Sequence, residues 1–136
     1  MNTAYSGTPL AKKLGIKENF KVLLYNSPDH YFDLFFNFPE GVEIIEKIES
    51  NTADFIHIFT TSFEDLKAVV KAYKKALKKD GALWISWPKG TSNIPNDLKR
   101  DQIREFVLKT GLVDVKVAAI DENWSGLKFV YRLKDR

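Results

Sequence analysis

Aromatic, cationic and hydroxyl side chains follow one another where an apolar run stops, at Trp87, Pro88 and Lys89. The Gly90-Thr91-Ser92 segment comes next, so a flexible loop bearing hydroxyls lies beside an indole and an ammonium. These groups suit an anionic or planar ligand, which would be held by stacking and by charge. In the structural alternative Trp87 belongs to the core, Pro88 ends a strand and Lys89 is solvated. Both interpretations stay open, and the three residues are candidate ligand-binding residues.

Two further segments carry polar groups that could meet a ligand. Asn26 and Ser27 follow an apolar run, and the Asn26 amide could contact a ligand or form an Asx turn with the backbone after it. Asp121 and Trp124 lie in the segment DENWSG, which also holds a glutamate and an asparagine. Adjacent carboxylates are poor metal cages without further ligands, so we expect no metal and rank Asp121 and Trp124 second.

No catalytic residue can be assigned from the sequence. Its two histidines, His30 and His57, are far apart, and His57 lies within an apolar run, where a core histidine is commoner than a base or ligand. No nucleophile elbow, Walker loop, serine–histidine–aspartate spacing or metal motif is present. The chain has no cysteine, which excludes disulfides and cysteine-based zinc sites.

The composition is that of one globular domain spanning residues 1–136, with 44% apolar and 29% charged residues. No run approaches the roughly 18 apolar residues of a membrane span, and the first residues lack a signal-peptide core. We therefore expect a cytoplasmic protein with no membrane partner.

The net charge of +3 could point to nucleic acid, but the distribution of lysines gives another explanation. Six of them fall on one predicted helix and would form its solvated face: Lys67, Lys71, Lys74, Lys75, Lys78 and Lys79. We therefore expect no nucleic-acid partner.

The hydrophobic pattern predicts the order β–α–(β)–β–α–β–α–β–β. The predicted strands cover about 20–25, 54–60, 82–88, 112–120 and 126–133, and the predicted helices about 30–38, 63–80 and 96–110. The first long helix should begin at Ser62, with Asp65 in a capping-box-like position, and end at Gly81 in a left-handed conformation. Residues 42–48 fit a short strand or a helix, and we favour the strand.

The segment from Tyr31 to Phe38 contains four of the ten phenylalanines and is apolar nearly all round. It is either buried between layers or presented to a partner, in which case it would make a homo-oligomer contact. Residues 1–19 are expected to pack on the sheet or to cover its edge.

This order predicts a three-layer, Rossmann-like α/β fold whose mostly parallel sheet ends in a C-terminal antiparallel hairpin. Ligands of open α/β sheets gather at the carboxyl ends of the strands. Three loops qualify there: 26–29, 60–62 and 87–92.

Several segments resemble class I S-adenosylmethionine-dependent methyltransferases, over roughly Leu14 to Arg136. LGIKENFKVLLYN resembles the lead-in to that family's first strand, DFIHIF its fourth strand, and KKDGALWISWP its passage into the fifth. The pattern SGTPLAKKLGI, LWISWPK, GLVDVKV and WSGLKFV is also similar to a small bacterial domain family to which we attach no activity. The first resemblance implies S-adenosylmethionine as cofactor and methyl transfer as activity.

Two departures from the family pattern oppose that cofactor. The turn after the first strand has no glycine between Gly15 and Gly41, and Pro28 occupies space near the backbone that the cofactor would need. The segment from Ser27 to Ala53 is shorter than the roughly 30 residues of a βαβ unit, so the first half of the fold is truncated. The sequence predicts a methyltransferase-like domain that binds a small molecule or a protein, without S-adenosylmethionine in the usual mode. A divergent methyltransferase is the alternative.

Overall fold

The computed structural model describes residues 9–136 and is built on one six-stranded sheet. The strands are β1 (Lys21–Tyr25), β2 (Glu43–Ile45), β3 (Ala53–Phe59), β4 (Leu77–Pro88), β5 (Leu112–Ala119) and β6 (Trp124–Tyr131). Their order is β2-β1-β3-β4-β6-β5, and β6 runs against the other described strands. The predicted mostly parallel sheet with a C-terminal antiparallel hairpin is confirmed. The 42–48 segment contains a strand, the favoured of the two alternatives.

Two amphipathic helices cover one face of the sheet: α2 (Phe63–Tyr73) and α3 (Arg100–Lys109). Leu66 and Val70 of α2, with Ile103 and Val107 of α3, are fully buried against the strands. The Ser62 hydroxyl accepts the Asp65 amide at 3.2 Å, which confirms the predicted start of α2. Helix α3 begins four residues later than predicted, because residues 93–99 form an extended loop in front of it.

The prediction that α2 continues to Gly81 is wrong. The helix ends at Tyr73, a 3₁₀ turn spans Lys74–Ala76, and β4 begins at Leu77. Gly81 is needed there for close approach, since a Cβ atom would lie 2.8 Å from the Asp54 carbonyl oxygen of β3. The six lysines from 67 to 79 therefore do not share one helix face.

The other face is covered by helix α1 (Leu10–Leu14) and by the segment 31–38, which we call the aromatic segment. The predicted helix over 30–38 is wrong, because only a 3₁₀ turn, Tyr31–Leu34, forms. Tyr31 and Phe35 are buried against the sheet, whereas Phe36 is 89% exposed. Aromatic residues lose side-chain freedom in helices, and so short a segment gains little from helical hydrogen bonds, so ring packing decides its shape.

Helix α1 anchors the described part of the N-terminal segment. Its residues Ala11 and Leu14 are buried, and the Leu14 carbonyl accepts the Trp84 indole N–H at 2.9 Å. Residues 1–8 lie outside the described residues. Within the part of the chain that is described, no helix has the length and apolarity to cross a membrane.

Candidate ligand site at the carboxyl edge of the sheet

The sheet brings the predicted site residues to one edge. Asn26 and Ser27 follow the carboxyl end of β1, and Trp87 and Pro88 form the carboxyl end of β4. Because β6 is antiparallel, it begins at this edge, with Trp124 in register with Pro88. The Lys89 amide donates to the Asn123 carbonyl at 2.8 Å and joins the β4 loop to the β5–β6 loop. The topology therefore places all seven candidates along one edge, although they do not converge on one cavity.

Asn26 links the ends of two strands. Its φ is +54°, a left-handed conformation that asparagine adopts more readily than most residues with a side chain. Its amide nitrogen donates to the Phe59 carbonyl at 3.4 Å, so the side chain crosses from β1 to the end of β3. Ser27 and Pro28 follow it half-buried, and the Pro28 carbonyl accepts the Tyr31 amide.

A carboxylate lies beneath the same strand ends. Asp65, in the first turn of α2, accepts the Tyr25 hydroxyl at 2.9 Å and the Thr60 hydroxyl at 3.0 Å. The hydrogen bond to this carboxylate raises the pKa of Tyr25, with a smaller contribution from desolvation. The sequence predicts a capping box at Asp65; its backbone does bind Ser62, but its carboxylate faces the strand ends. Both oxygens of the Asp65 carboxylate therefore already accept a hydrogen bond from a neighbouring hydroxyl group.

Three buried side chains form a chain of hydrogen bonds beneath the aromatic segment, running from that segment to β3 and then to β4. His57 is fully buried, with Nδ1 3.0 Å from the Tyr31 hydroxyl and Nε2 2.7 Å from the Ser86 hydroxyl. Burial lowers the pKa of His57 to about 3 and raises the pKa of Tyr31. His57 is thus a satisfied core histidine, neutral at neutral pH. The sequence does not reveal its partners Tyr31 and Ser86. They are separated from His57 by 26 and 29 positions, and no sequence motif links residues that far apart.

Asp121 holds its own loop together. One carboxylate oxygen accepts the amides of Asn123 and Trp124 at 2.8 and 2.9 Å, and the other lies 3.0 Å from His30 Nε2. The Trp124 ring packs edge-on against Phe59, with 5.1 Å between the ring centroids. The His30 contact ties the β5–β6 loop to the loop after β1. Across residues 9–136, no group of three histidine, cysteine or acidic side chains could hold a metal ion.

One concave part of the edge, among the described residues, lies at the end of β4. A pocket of about 600 Å³ opens between this strand and the start of α3, and we call it the β4 pocket. Its lining residues are Trp87, Pro88, Gly90, Asn96, Asp97, Leu98, Lys99 and Arg100. Trp87 is only 8% exposed and packs in the core beneath α2 and α3, so little of its ring is open to the pocket.

Cationic side chains outnumber acidic ones in the lining of the β4 pocket, and Arg100 Nε also lies 3.8 Å from the Asp101 carboxylate. Lys99 and Arg100 lie at the N-terminus of α3, where the amides and the helix dipole add positive potential. The Asp97 carboxylate, which also belongs to the lining, accepts the Phe63 amide at 2.8 Å and so serves the N-terminus of α2. Sequence reasoning misses Lys99 and Arg100, since the hydrophobic pattern assigns the loop before α3 to the helix itself.

Comparison with known proteins bears on the fold. Neither the family models nor the curated proteins gave a match. Among solved structures, a SAM-dependent methyltransferase from Aquifex aeolicus is 15% identical with a TM-score of 0.66, covering 88% of this chain and 86% of that one. A putative type 11 methyltransferase from Sulfolobus solfataricus is 17% identical with a TM-score of 0.63, covering 97% and 92%. The chain has a methyltransferase-like fold.

A third structure agrees with these two. A TehB-like SAM-dependent methyltransferase from Corynebacterium glutamicum is 14% identical, with a TM-score of 0.56 and coverage of 96% and 93%. Identities this low establish a shared fold and leave the chemistry to the site residues. In this methyltransferase-like domain, the turn after β1 carries Asn26 and Pro28 where the resemblance would require glycines.

Proposed function

We propose that this methyltransferase-like domain is a binding module that takes a small anionic molecule with a planar body in the β4 pocket. The observation that carries the proposal is the contrast between two stretches of one sheet edge. At the ends of β1 and β3, Asn26 and Asp65 are hydrogen-bonded to neighbouring groups of the protein. At the end of β4, a pocket of about 600 Å³ is lined by two cationic side chains.

The chemistry of the β4 pocket supports an anion. Lys99, Arg100 and the first amides of α3 all favour negative charge, and the Asp97 carboxylate is occupied by the start of α2. Pro88 and the small exposed part of Trp87 add apolar surface that a planar ligand body can contact. A side chain on Gly90 would meet no atom within 4 Å of its Cβ, so the glycine leaves room at the mouth.

We also propose that S-adenosylmethionine is not held in the usual mode at the turn after β1. Close approach of a cofactor to backbone amides requires glycine, whereas this turn carries the asparagine side chain and the ring of Pro28. The aromatic segment then folds directly onto the sheet face and buries Tyr31 and Phe35. These residues do not fit the cofactor in its usual position.

The first experiment maps the site with 2-naphthoate, a planar monoanion, by titration into ¹⁵N-labelled protein. We expect the shifted amides to cluster at 87–90 and 96–100. A Lys99→Gln/Arg100→Gln variant should bind about tenfold more weakly, since two partly exposed charge contacts together contribute about 1–1.5 kcal/mol. The matched control, Lys71→Gln/Lys75→Gln, removes two charges from α2 and the turn after it and should bind like wild type.

Shifts centred on Asn26 and Ser27, or equal affinities in the two double variants, would contradict the assignment to the β4 pocket.

The divergent methyltransferase is the second candidate, and the structural similarity to methyltransferases over nearly the whole chain favours it. Calorimetric titration with S-adenosylmethionine and S-adenosylhomocysteine separates the two. We expect no heat of binding up to millimolar ligand. Micromolar affinity for either compound would overturn the proposed function and establish the second candidate's cofactor.

A further inference from the structure

A second cationic feature lies beside α1, on the sheet face opposite α2 and α3. Five lysines from five separate parts of the chain form what we call the lysine cluster: Lys13, Lys17, Lys89, Lys116 and Lys128. Lys13 donates to the Ala119 carbonyl at 3.1 Å, and Lys116 donates to the Lys13 carbonyl at 2.8 Å. These contacts place the Lys116 ammonium against the backbone of α1 and the Lys13 ammonium against the end of β5.

The strand register adds a third lysine. Lys116 of β5 lies directly opposite Lys128 of β6 in the antiparallel ladder. Lys128 also reaches α1, because its Nζ lies 3.3 Å from the position a Cβ atom would take on Gly15. Like charges directly opposite each other on neighbouring strands destabilise a sheet. The central part of the cluster is therefore a repulsive arrangement of Lys13, Lys116 and Lys128.

No carboxylate offsets this repulsion within the described residues. The ion pairs of residues 9–136 involve Lys67, Lys78, Arg100, Arg104 and His30, and none includes a member of the lysine cluster. Residues 1–8, MNTAYSGT, contain no aspartate or glutamate that could supply one. A positive cluster of this kind lacks the counter-ion that structural charge clusters usually have.

The titration behaviour agrees with the geometry. Burial lowers the pKa of Lys13, and the positive charges of Lys116 and Lys89 lower it further. Burial likewise lowers the pKa of Lys128, with added repulsion from Lys116 and Lys17. An anion bound near these side chains would favour their charged forms and oppose both shifts.

We infer that the lysine cluster binds the phosphoryl group of a soluble phosphorylated small molecule. A lysine ammonium is a compact point charge with three donors, and the carbonyl contacts of Lys13 and Lys116 each use only one of them. Lysines gathered from α1, β5 and β6 suit a multiply charged oxyanion better than a monoanionic carboxylate. Because Lys116 contacts α1 and lies opposite Lys128, we place one discrete phosphoryl group beside it. Lys13, Lys116 and Lys128 lie on the sheet face opposite α3, whereas the β4 pocket opens on the side of α3. Only Lys89 adjoins the pocket, since its chain neighbours Pro88 and Gly90 line it.

Pyrophosphate, titrated into the full chain by calorimetry at low salt, tests this inference. We expect saturable binding that weakens by about tenfold or more in Lys116→Gln/Lys128→Gln and is unchanged in Lys71→Gln/Lys75→Gln. The Lys99→Gln/Arg100→Gln variant should also bind pyrophosphate normally, which separates this site from the proposed function. Thermal melting of each variant checks folding, and Lys128→Gln alone serves if the double variant unfolds.

Absence of pyrophosphate binding, or equal weakening in both lysine double variants, would overturn the inference. A single-stranded 12-mer oligonucleotide forms the second arm. If it binds through Lys116 and Lys128 while pyrophosphate does not bind, the phosphoryl groups come from a nucleic-acid backbone and the small-molecule assignment is wrong. If pyrophosphate binds and the oligonucleotide does not, the assignment stands.

Discussion

The two faces of the sheet are covered in different ways. On one face, α2 and α3 bury regular stripes of aliphatic residues such as Leu66 and Ile103. On the other, a five-residue helix and a 3₁₀ turn hold aromatic rings around the buried His57. The first face depends on periodic burial of apolar surface, and the second depends on a few large side chains and a polar chain from Tyr31 to Ser86.

The two faces therefore differ in how strongly the substitution of one side chain should destabilise the fold. A regular helix spreads its contribution over several side chains, whereas the aromatic segment is fixed mainly by Tyr31 and Phe35. A buried polar chain also makes the second face responsive to protonation, which an aliphatic interface cannot be.

Acid should weaken the aromatic face first. The native state keeps His57 neutral down to about pH 3, while the unfolded chain binds a proton near pH 6.5. The stabilising effect is therefore fully present above pH 6.5 and is lost at about 1.4 kcal/mol per pH unit as the pH falls toward 3. Urea unfolding from pH 7 to 4.5 should show this slope, reduced in His57→Gln and retained in the control His30→Gln.

If the free energy of unfolding of wild type and of His57→Gln falls in parallel over that range, other groups cause the loss. The aromatic face would then be no more sensitive to acid than the helical face.

Removing one anchor ring should cost as much as removing a core leucine from the helical face. Tyr31→Ala deletes a buried ring and leaves His57 Nδ1 unpaired, so we expect a loss of about 4 kcal/mol in the free energy of unfolding. Leu66→Ala on α2 should cost about 3 kcal/mol. Tyr31→Phe keeps the ring and should cost only about 1–2 kcal/mol, which isolates the hydrogen bond.

Denaturant unfolding of the three variants measures these losses at pH 7. A loss below about 1 kcal/mol in Tyr31→Ala would mean that the aromatic segment covers the sheet without stabilising it.

The exposed ring of the aromatic segment should contribute least. Phe36 is 89% exposed, so Phe36→Ser should change the free energy of unfolding by less than about 0.5 kcal/mol. The same variant tests the predicted homo-oligomer contact through residues 31–38. Light scattering at high protein concentration should show a lower mass for Phe36→Ser than for wild type if that contact forms. Equal masses for the two proteins would contradict it.

The helical face was largely predictable. Apolar residues at helical spacing and the Ser62 cap are local signals, and α2 and α3 follow them. The end of α2 was mispredicted because KKDG resembles a helix terminus, whereas pairing of Leu77 with Ala53 starts β4 earlier. That pairing joins residues far apart in sequence, and no local pattern reports it.

The candidate site was likewise only partly predictable from the sequence. The sequence placed Asn26, Trp87 and Asp121 at loops that the fold does bring to one edge, because strand direction follows from the order of elements. It could not foresee that Lys99 and Arg100 line the β4 pocket. It also gave no sign of the lysine cluster, whose ammonium contacts join residues more than 100 positions apart.

By itself, the sequence determined the layered α/β architecture, the strands and the missing glycines after β1, since these depend on hydrophobic periodicity and on single residue types. Tertiary packing alone decided the shape of the aromatic segment, the pairing of His57 with Tyr31 and Ser86, and the side of the edge that stays concave. The physical reason is that an apolar stripe identifies its own buried face, whereas a ring or a charge acquires its role only from the groups that the fold brings to it.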